Sequence, residues 1–572
     1  MVPQSIINVP EICRQHGIQH AILSPGSRSA PLSLVFARHH GIQTQVIDDE
    51  RTAAFVGFGR ALESNTPVVL VCTSGSAGYN YAPAVAEAFF QQVPLVVLTA
   101  DRPPEWIDQW DGQTIRQQNL YGEHVKSSYQ FPVDTTHPDA QWQADRMISE
   151  AINLAQAEPK GPVHINIPLR EPFYPTPDQN FTPSEGLKVI RRDTPQLRPS
   201  EIDQNLLAQE YMEAEKVLII AGQASWSQPW RSGLMQIGRA LDVPVVADII
   251  SNAQGLPTAI YHQDAWLPAL QENTKEELQP DLLITLGKSV ISKQLKLFLR
   301  EYPPQAHWHL QAHTGPTPDP FQSLTRVIPT DPNRFLQEVS SQAKASSEQT
   351  AYLSLFRSLD RQAYKAQQGF HSGSSTTFNE FGAVNQLLQA LPRLSDLHLA
   401  NSMAVRYANF VGLGELGNEI RVFANRGTSG IDGSNSTQRG AYSGRLSVLL
   451  TGDMAFFYDR NAWWGAEPTA HMRIAVLNNH GGGIFRMIKG PRQLPELEYL
   501  FDTHQPLSAK NMAEEWGMTY RAVHNEHELA EALPDFVSEL KGAQLLEIFT
   551  DMETNTEVFD RFKQQMRDTY GA

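Results

Sequence analysis

Short apolar runs, each closed by Gly, Ser, Asp or Pro, alternate with helical patterns along the whole chain. In the first third they read HAILSPG, TQVIDDE, PVVLVCTSG, PLVVLTADRP and GPVHINIP, with RTAAFVGFGRALES and YAPAVAEAFFQQ lying between them. The pattern continues as KVLIIAGQAS, VPVVADIIS and DLLITLGKS, then as IRVFANRG, LSVLLTGDM, RIAVLNNHGGG and QLLEIFTD. A strand apolar on both faces must be covered on both, and the intervening helices supply the crossovers that parallel pairing needs. The predicted class is α/β, with mainly parallel, doubly wound sheets.

At 572 residues the chain has room for three or four domains of about 150 residues each. Two seams interrupt the alternation. Pro168 to Pro199 contains PLREPFYPTPDQNFTPSEG, too rich in proline for a core element. Lys365 to Glu380, KAQQGFHSGSSTTFNE, has the composition of a linker. Three tandem domains are therefore expected, at 1–183, 184–370 and 371–572, with no repeat at solenoid spacing.

Charge and cysteine usage narrow the function. Lys and Arg number 46 against 62 Asp and Glu, a formal net charge of −16. So acidic a chain is a poor partner for phosphate backbones, and no basic run addresses a membrane. Cys13 and Cys72 are the two cysteines, too few for a disulfide scaffold or a cysteine zinc site. The start, MVPQSIINVPEICRQHG, lacks a charged segment followed by an apolar core, and no run reaches the roughly 18 apolar residues of a membrane span. A cytoplasmic protein with neither nucleic-acid nor membrane partners is expected.

Ligands of open α/β sheets bind beyond the carboxyl ends of the strands, so chemistry is sought there. Gly452-Asp453-Met454 closes one run, and Asn478-Asn479-His480-Gly481 closes the next. A diphosphate held through a hard divalent cation needs oxygen ligands. Asp453 can supply a carboxylate, Asn479 an amide oxygen and Gly481 a backbone carbonyl. Either piece alone would sooner suit a helix cap or a tight turn; the two together at consecutive strand ends favour the cation.

This G-D-x…N-N spacing resembles the signature of the thiamine diphosphate enzymes, with Met454 where Gly is frequent. The resemblance gives a role to Glu50 in VIDDERTAAF. A glutamate at the end of the second strand bonds N1′ of the cofactor pyrimidine in those enzymes, making the cofactor's own amino group basic enough to remove the C2 proton. Without the resemblance, Glu50 would also suit a helix N-terminal acid beside Asp48 and Asp49.

A narrower resemblance covers essentially the whole chain. SPGSRSAPL (24–32), LTADRPPE (98–105), QTIRQ (113–117), NSMAVR (401–406), ANRGTSGIDG (424–433) and NNHGGGIF (478–485) are similar to segments of the MenD family. These are the 2-succinyl-5-enolpyruvyl-6-hydroxy-3-cyclohexene-1-carboxylate (SEPHCHC) synthases of menaquinone (vitamin K2) biosynthesis. The resemblance implies pyrimidine-binding, central and diphosphate-binding domains in that order. It also implies thiamine diphosphate with Mg2+ or Mn2+, and a transferase that decarboxylates 2-oxoglutarate and adds the succinyl unit to isochorismate. Both substrates are dicarboxylates, which suits arginine forks.

Carried over by segment, the resemblance implies that Ser27, Arg28, Arg102 and Gln113 bind substrate. Lys293 follows on a weaker match. Ser402, Arg406 and Arg426 meet substrate carboxylates and the cofactor-bound species, Ile431 supports the bent cofactor, and Ile484 and Phe485 wall the cavity. An Asn that precedes Gln in the family is Gly112 here, and its usual Lys-Arg pair reads Lys293-Gln294. The family also implies a homodimer or homotetramer with active sites between subunits. Another thiamine diphosphate 2-oxo acid decarboxylase or carboligase, and a catalytically silent ligand-binding relative, are the competing readings.

Three further motifs have simpler explanations. Gly412 to Gly417 matches G-x-G-x-x-G but follows a helical pattern and precedes a strand, the reverse of a dinucleotide fingerprint. His307 and His309 share a strand face without a third metal ligand. Asn435-Ser-Thr is a glycosylation string that matters only on secretion.

Overall fold

The computed structural model describes residues 2–571 except 172, 177, 178, 194, 196, 374–376, 539 and 540. Every apolar run named above forms a strand, and the strands build three six-stranded sheets. The first contains β1 (His20–Leu23), β2 (Gln43–Val46), β3 (Val68–Cys72), β4 (Leu95–Asp101), β5 (Ser128–Gln130) and β6 (Val163–Pro168), in the order β2-β1-β3-β4-β6-β5. The second contains β7 (Val217–Ala221), β8 (Val245–Ala247), β9 (Ala259–Ile260), β10 (Leu282–Leu286), β11 (Ala306–Gln311) and β12 (Arg326–Pro329), ordered β12-β11-β10-β7-β8-β9. The third contains β13 (Asp396–Leu399), β14 (Arg421–Ala424), β15 (Ser447–Gly452), β16 (Met472–Asn478), β17 (Thr519–Val523) and β18 (Gln544–Phe549), ordered β14-β13-β15-β16-β18-β17.

All the strand pairs are parallel. The first sheet illustrates why its runs are continuously apolar. Ala21, Leu23, Val69, Val71, Val96 and Leu98 enter one core, while Ile22, Leu70, Cys72, Leu95 and Val97 enter the core on the opposite face. Alternate side chains point to opposite faces, so a sheet covered on both sides needs apolar residues at every position. One core cluster extends through the second and third sheets, joining Leu218, Ile220 and Leu283 to Leu397, Leu399, Val448 and Leu477.

Residues 374–376 of the expected linker lie outside the described residues. The segment before them departs from expectation, because Lys365 to Ser372 completes the helix Ser347–Ser372. Tyr352, Phe356, Leu359, Ala363 and Gln367 are its buried stripe, at the spacing of one helical face. That stripe, starting well upstream, outweighs the Gly and Ser content that suggested a linker. Among the described residues, no helix is long and apolar enough to cross a membrane.

The chain packs as two compact units. One comprises Met1–Pro195, Asn425–Gly444 and Tyr458–Glu467; the other comprises Gln196–Ala424, Arg445–Phe457 and Pro468–Ala572. Two excursions from the last third therefore belong with the first sheet. Their attachment depends on missing side chains. A Cβ on Gly59 would sit 2.2 Å from the Thr437 carbonyl oxygen, and one on Gly440 would sit 2.0 Å from that of Val56. Glycine at both positions lets the helices Glu50–Ser64 and Ser434–Gly440 meet backbone to backbone.

Candidate active site

The strand order of the third sheet reverses between the parallel β13 and β15, the position where open α/β sheets form a crevice. Asp453 leaves β15 directly into the short helix Asp453–Tyr458 and is buried. Its Oδ1 accepts the Met454 N–H at 2.8 Å, and its Oδ2 accepts from Gln505 Nε2 at 2.7 Å. Burial, opposed by these bonds, pushes its carboxyl up to about 6.

Asn479 stands just past the end of the neighbouring β16. Its Nδ2 donates to Glu380 Oε1 at 2.7 Å, and its Oδ1 accepts the Gly481 N–H at 3.1 Å. A backbone N–H donates and cannot accept, so the Gly481 contact fixes which end of the amide is oxygen. Glu380 opens the helix Glu380–Ala390 and is buried. Burial first, and the Asp453 carboxylate second, push it up to about 8. A Cβ at Gly481 would lie 2.5 Å from the Asp502 carbonyl oxygen, so this position admits no side chain.

These donors suit a hard divalent cation: a carboxylate, an oriented amide oxygen and a backbone carbonyl, beside a second acid that repels the first. Among the described residues no three His, Cys, Asp or Glu side chains gather as a metal cluster. The expected set does not require one, since diphosphate oxygens complete it. Glu380 and Gln505 were invisible to sequence reasoning. A glutamate in the first turn of a helix looks like an ordinary dipole partner.

Ser402 follows β13 at φ +68°, a strained conformation for a residue with a side chain, and it precedes the helix Met403–Val411. One turn on, Arg406 Nη1 donates to the Ser402 carbonyl at 2.6 Å. Burial lowers the Arg406 pKa, and Asp264 opposes that effect. Asp264 accepts from Ser292 Oγ at 2.5 Å and from Asn409 Nδ2 at 3.1 Å. Because Ser292 caps the helix Lys293–Glu301, Asp264 ties the start of the Lys293 helix to the helix carrying Arg406. Lys293 itself is exposed. Ile484 packs against the core, and the Phe485 ring centroid lies 5.4 Å from that of Phe501.

In the other unit, the strand order of the first sheet reverses between the parallel β1 and β3. Arg102 Nη1 donates to Ser74 Oγ at 2.7 Å and to the Gln113 carbonyl at 3.0 Å, while its Nε pairs with Asp111. Arg28 donates to the Leu169 carbonyl at 2.9 Å, with its guanidinium 4.4 Å from the centre of the Phe173 ring. Burial and the Arg102 charge both lower the Arg28 pKa. Two mutually repelling guanidiniums at strand ends suit an anionic ligand. Ser27 Oγ lies 3.3 Å from the Tyr174 hydroxyl.

Phe173 and Tyr174 belong to the proline-rich seam, where linker composition hid them. Gln113 is exposed at φ +56°, and its backbone, not its amide group, meets Arg102. Beside Gly112, where the family has Asn, Asp111 is the side chain that engages Arg102.

Glu50 begins the helix Glu50–Ser64, but the capping bond comes from Asp49, whose side chain accepts the Thr52 N–H at 3.2 Å. Glu50 Oε2 instead accepts from Asn80 Nδ2 at 3.2 Å. Arg426 and Ile431 lie in the loop after β14, and the Arg426 N–H donates to Gln91 Oε1 at 3.0 Å. The expected site residues thus fall into two groups. Glu50, Ser27, Arg28, Arg102, Gln113, Arg426 and Ile431 belong to the unit of the first sheet; the others belong to the second unit.

His307 and His309 both lie 2.9 Å from Thr285 Oγ1, and burial pushes each down to about 4. They serve packing. The Gly412 motif follows the helix Met403–Val411 and precedes β14, the order inferred from sequence.

The fold is that of a thiamine diphosphate-dependent enzyme. Residues 9–120 match the family model of the thiamine pyrophosphate enzyme, N-terminal TPP binding domain, and residues 194–399 match that of the middle domain of thiamine pyrophosphate. A 2-succinyl-5-enolpyruvyl-6-hydroxy-3-cyclohexene-1-carboxylate synthase from Cytophaga hutchinsonii is 45% identical over 572 residues, covering 99% of this chain and 100% of the relative. The enzyme of the same name from Flavobacterium psychrophilum is 38% identical over 96% of each chain. That from Porphyromonas gingivalis is 37% identical over 96% of this chain and 95% of its own. The chain belongs to the 2-succinyl-5-enolpyruvyl-6-hydroxy-3-cyclohexene-1-carboxylate synthase family.

Proposed function

We propose that this protein decarboxylates 2-oxoglutarate and adds the resulting succinyl unit to isochorismate in a 1,4-fashion, releasing CO2 and SEPHCHC for menaquinone biosynthesis. End-to-end similarity to synthases of that name carries the reading. Its divisions are pyrimidine-binding (1–183), central (184–370) and diphosphate-binding (371–572) domains. Thiamine diphosphate, when bound, supplies the electron sink for CO2 loss and the nucleophilic carbon for the addition.

This chain's own residues do the rest. Asp453, Asn479 and the Gly481 carbonyl hold Mg2+ or Mn2+ and, through it, the diphosphate. Glu50 holds a proton at N1′ of the pyrimidine, while Ile431 supports the ring system. Ser402, Arg406 and Arg426 bind and orient the carboxylates of 2-oxoglutarate. Ser27, Arg28, Arg102, Gln113 and Lys293 orient isochorismate, with Ile484 and Phe485 as the apolar wall that keeps water away. Bringing two dianions together is chiefly a problem of proximity and charge, which explains the number of fixed cations. The protein acts in the cytoplasm as a homodimer or homotetramer with its active sites between subunits.

The test supplies purified protein with thiamine diphosphate, Mg2+, 2-oxoglutarate and isochorismate, and follows isochorismate loss and CO2 release. Equal amounts of each are expected, and Glu50→Gln should nearly abolish both. Turnover of pyruvate in place of 2-oxoglutarate would overturn the substrate assignment, and full activity of Glu50→Gln would overturn the proton assignment.

A further inference from the structure

Glu87 lies on the helix Ala82–Gln91 and is only 1% exposed, yet no cation accounts for its hydrogen bonds. Its Oε1 accepts the Gly427 N–H at 2.7 Å. Its Oε2 accepts both the Thr428 N–H and the Thr428 hydroxyl, each at 2.7 Å. Gln91, one turn further along, takes the Arg426 N–H at 3.0 Å. The loop is also pressed onto this helix, since a Cβ at Gly427 would lie 2.6 Å from the Glu87 carbonyl oxygen and 3.0 Å from the Gln91 nitrogen.

These bonds have a specific consequence for Arg426. Gln91 holds the peptide plane before its Cα, and Glu87 holds the plane after it. Peptide planes are rigid, so fixing both flanking planes fixes φ and ψ of Arg426 and the direction in which its side chain departs. A buried carboxylate is costly unless its bonds compensate, and charge-assisted bonds are about twice as strong as neutral ones. A packing role alone would be met by any side chain of similar volume. Three short donors converging on one carboxylate make a stiff clamp.

We propose that Glu87 is a positioning residue for the reaction: it clamps residues 427–428 so that Arg426 is presented to the carboxylate of the 2-oxo acid. The proposal rests on Arg426 binding that substrate, and the experiment separates the two claims. Glu87→Gln is nearly isosteric, but each carboxylate oxygen faces a backbone N–H, so either orientation of the amide sets its NH2 against a donor. Steady-state kinetics should give a KM for 2-oxoglutarate raised about tenfold or more. Thiamine diphosphate affinity should change less than the 2-oxoglutarate KM, because its proposed diphosphate ligands Asp453 and Asn479 are not touched and only Ile431 shares the loosened loop. Hydrogen exchange in a peptide spanning residues 425–433 should quicken.

If Glu87 acts through Arg426, adding Glu87→Gln to Arg426→Ala should raise KM by no more than about twofold beyond Arg426→Ala alone. Full additivity, or an unchanged KM and loop exchange in Glu87→Gln, would overturn the proposal. An unchanged KM in Arg426→Ala would instead sink the role of Arg426. Should Glu87→Gln fail to fold, Thr428→Val removes the hydroxyl bond to Glu87 at an exposed position and leaves both N–H bonds, and the same outcomes decide.

Discussion

Asp459 offers a measurement of what holds the two inserted segments to each other. It is fully buried, accepting the Ser436 N–H at 2.7 Å on Oδ2 and the Ser436 hydroxyl at 2.8 Å on Oδ1. Burial, opposed by these bonds, raises its carboxyl from 3.8 to about 7. The folded state thus binds this proton more tightly than the unfolded chain does. Stability from this group falls as pH rises between about 4 and 7; the penalty is absent below that window and complete above it. At about 1.4 kcal/mol per pH unit, the rise is worth about 4 kcal/mol. Asp459→Asn keeps both bonds, its oxygen accepting the Ser436 N–H and its NH2 donating to the hydroxyl, so only the charge is removed. Urea unfolding of both proteins from pH 4 to pH 8 should show the variant gaining on the parent by about that amount as pH rises. A stability difference that stays constant with pH, or grows toward acid, would refute the reasoning. Ser436 sits on the helix that meets the Glu50 helix at Gly59 and Gly440, so the measurement reports on the scaffold of a site residue.

Two other predictions concern ligand binding. Glu380→Leu should weaken Mg2+-dependent thiamine diphosphate binding by about 10–100-fold, because the Asn479 amide loses the acceptor that orients it, whereas Glu380→Gln keeps an acceptor and should lose much less. Calorimetric titration at fixed cofactor concentration distinguishes them, and equal losses in both variants would refute the orienting role of Glu380. Tyr174→Phe removes the hydroxyl beside Ser27 Oγ and should raise the KM for isochorismate by about 2–10-fold with kcat unchanged. A change confined to the 2-oxoglutarate KM would contradict the placement of Ser27 in the isochorismate site.

Much of this fold can be read directly from the chain. Continuous runs such as VVLVC and LLITL mark strands buried on both faces, and the residues that follow them, from Ser27 to Asp453, are those expected at a crevice. β13 was not readable in this way. Its sequence, DLHL, carries an acid and a histidine, yet it is buried because Arg421 of the neighbouring strand grips Asp396 through two 2.7 Å bonds and His398 stacks on Phe423 at 4.8 Å. Nor did composition reveal that Lys365 to Ser372 extends a buried helix, or that Phe173 and Tyr174 return from a proline-rich seam to Arg28 and Ser27 in the loop after β1.

The string NRGTSGIDG shows where sequence and tertiary structure divide the work. Its place after a strand-forming run and its family resemblance single it out as a candidate ligand loop, but that its glycine at 427 serves close approach to another helix is decided by tertiary packing alone. Glu87 and Glu380 look in sequence like unremarkable helix acids. One grips an amide 340 residues away and the other an amide 99 residues away. Hydrophobic period and strand-end chemistry are local properties, so the sequence by itself determined them. Which donor answers a buried carboxylate depends on what the folded chain brings beside it, so only the tertiary structure could decide it.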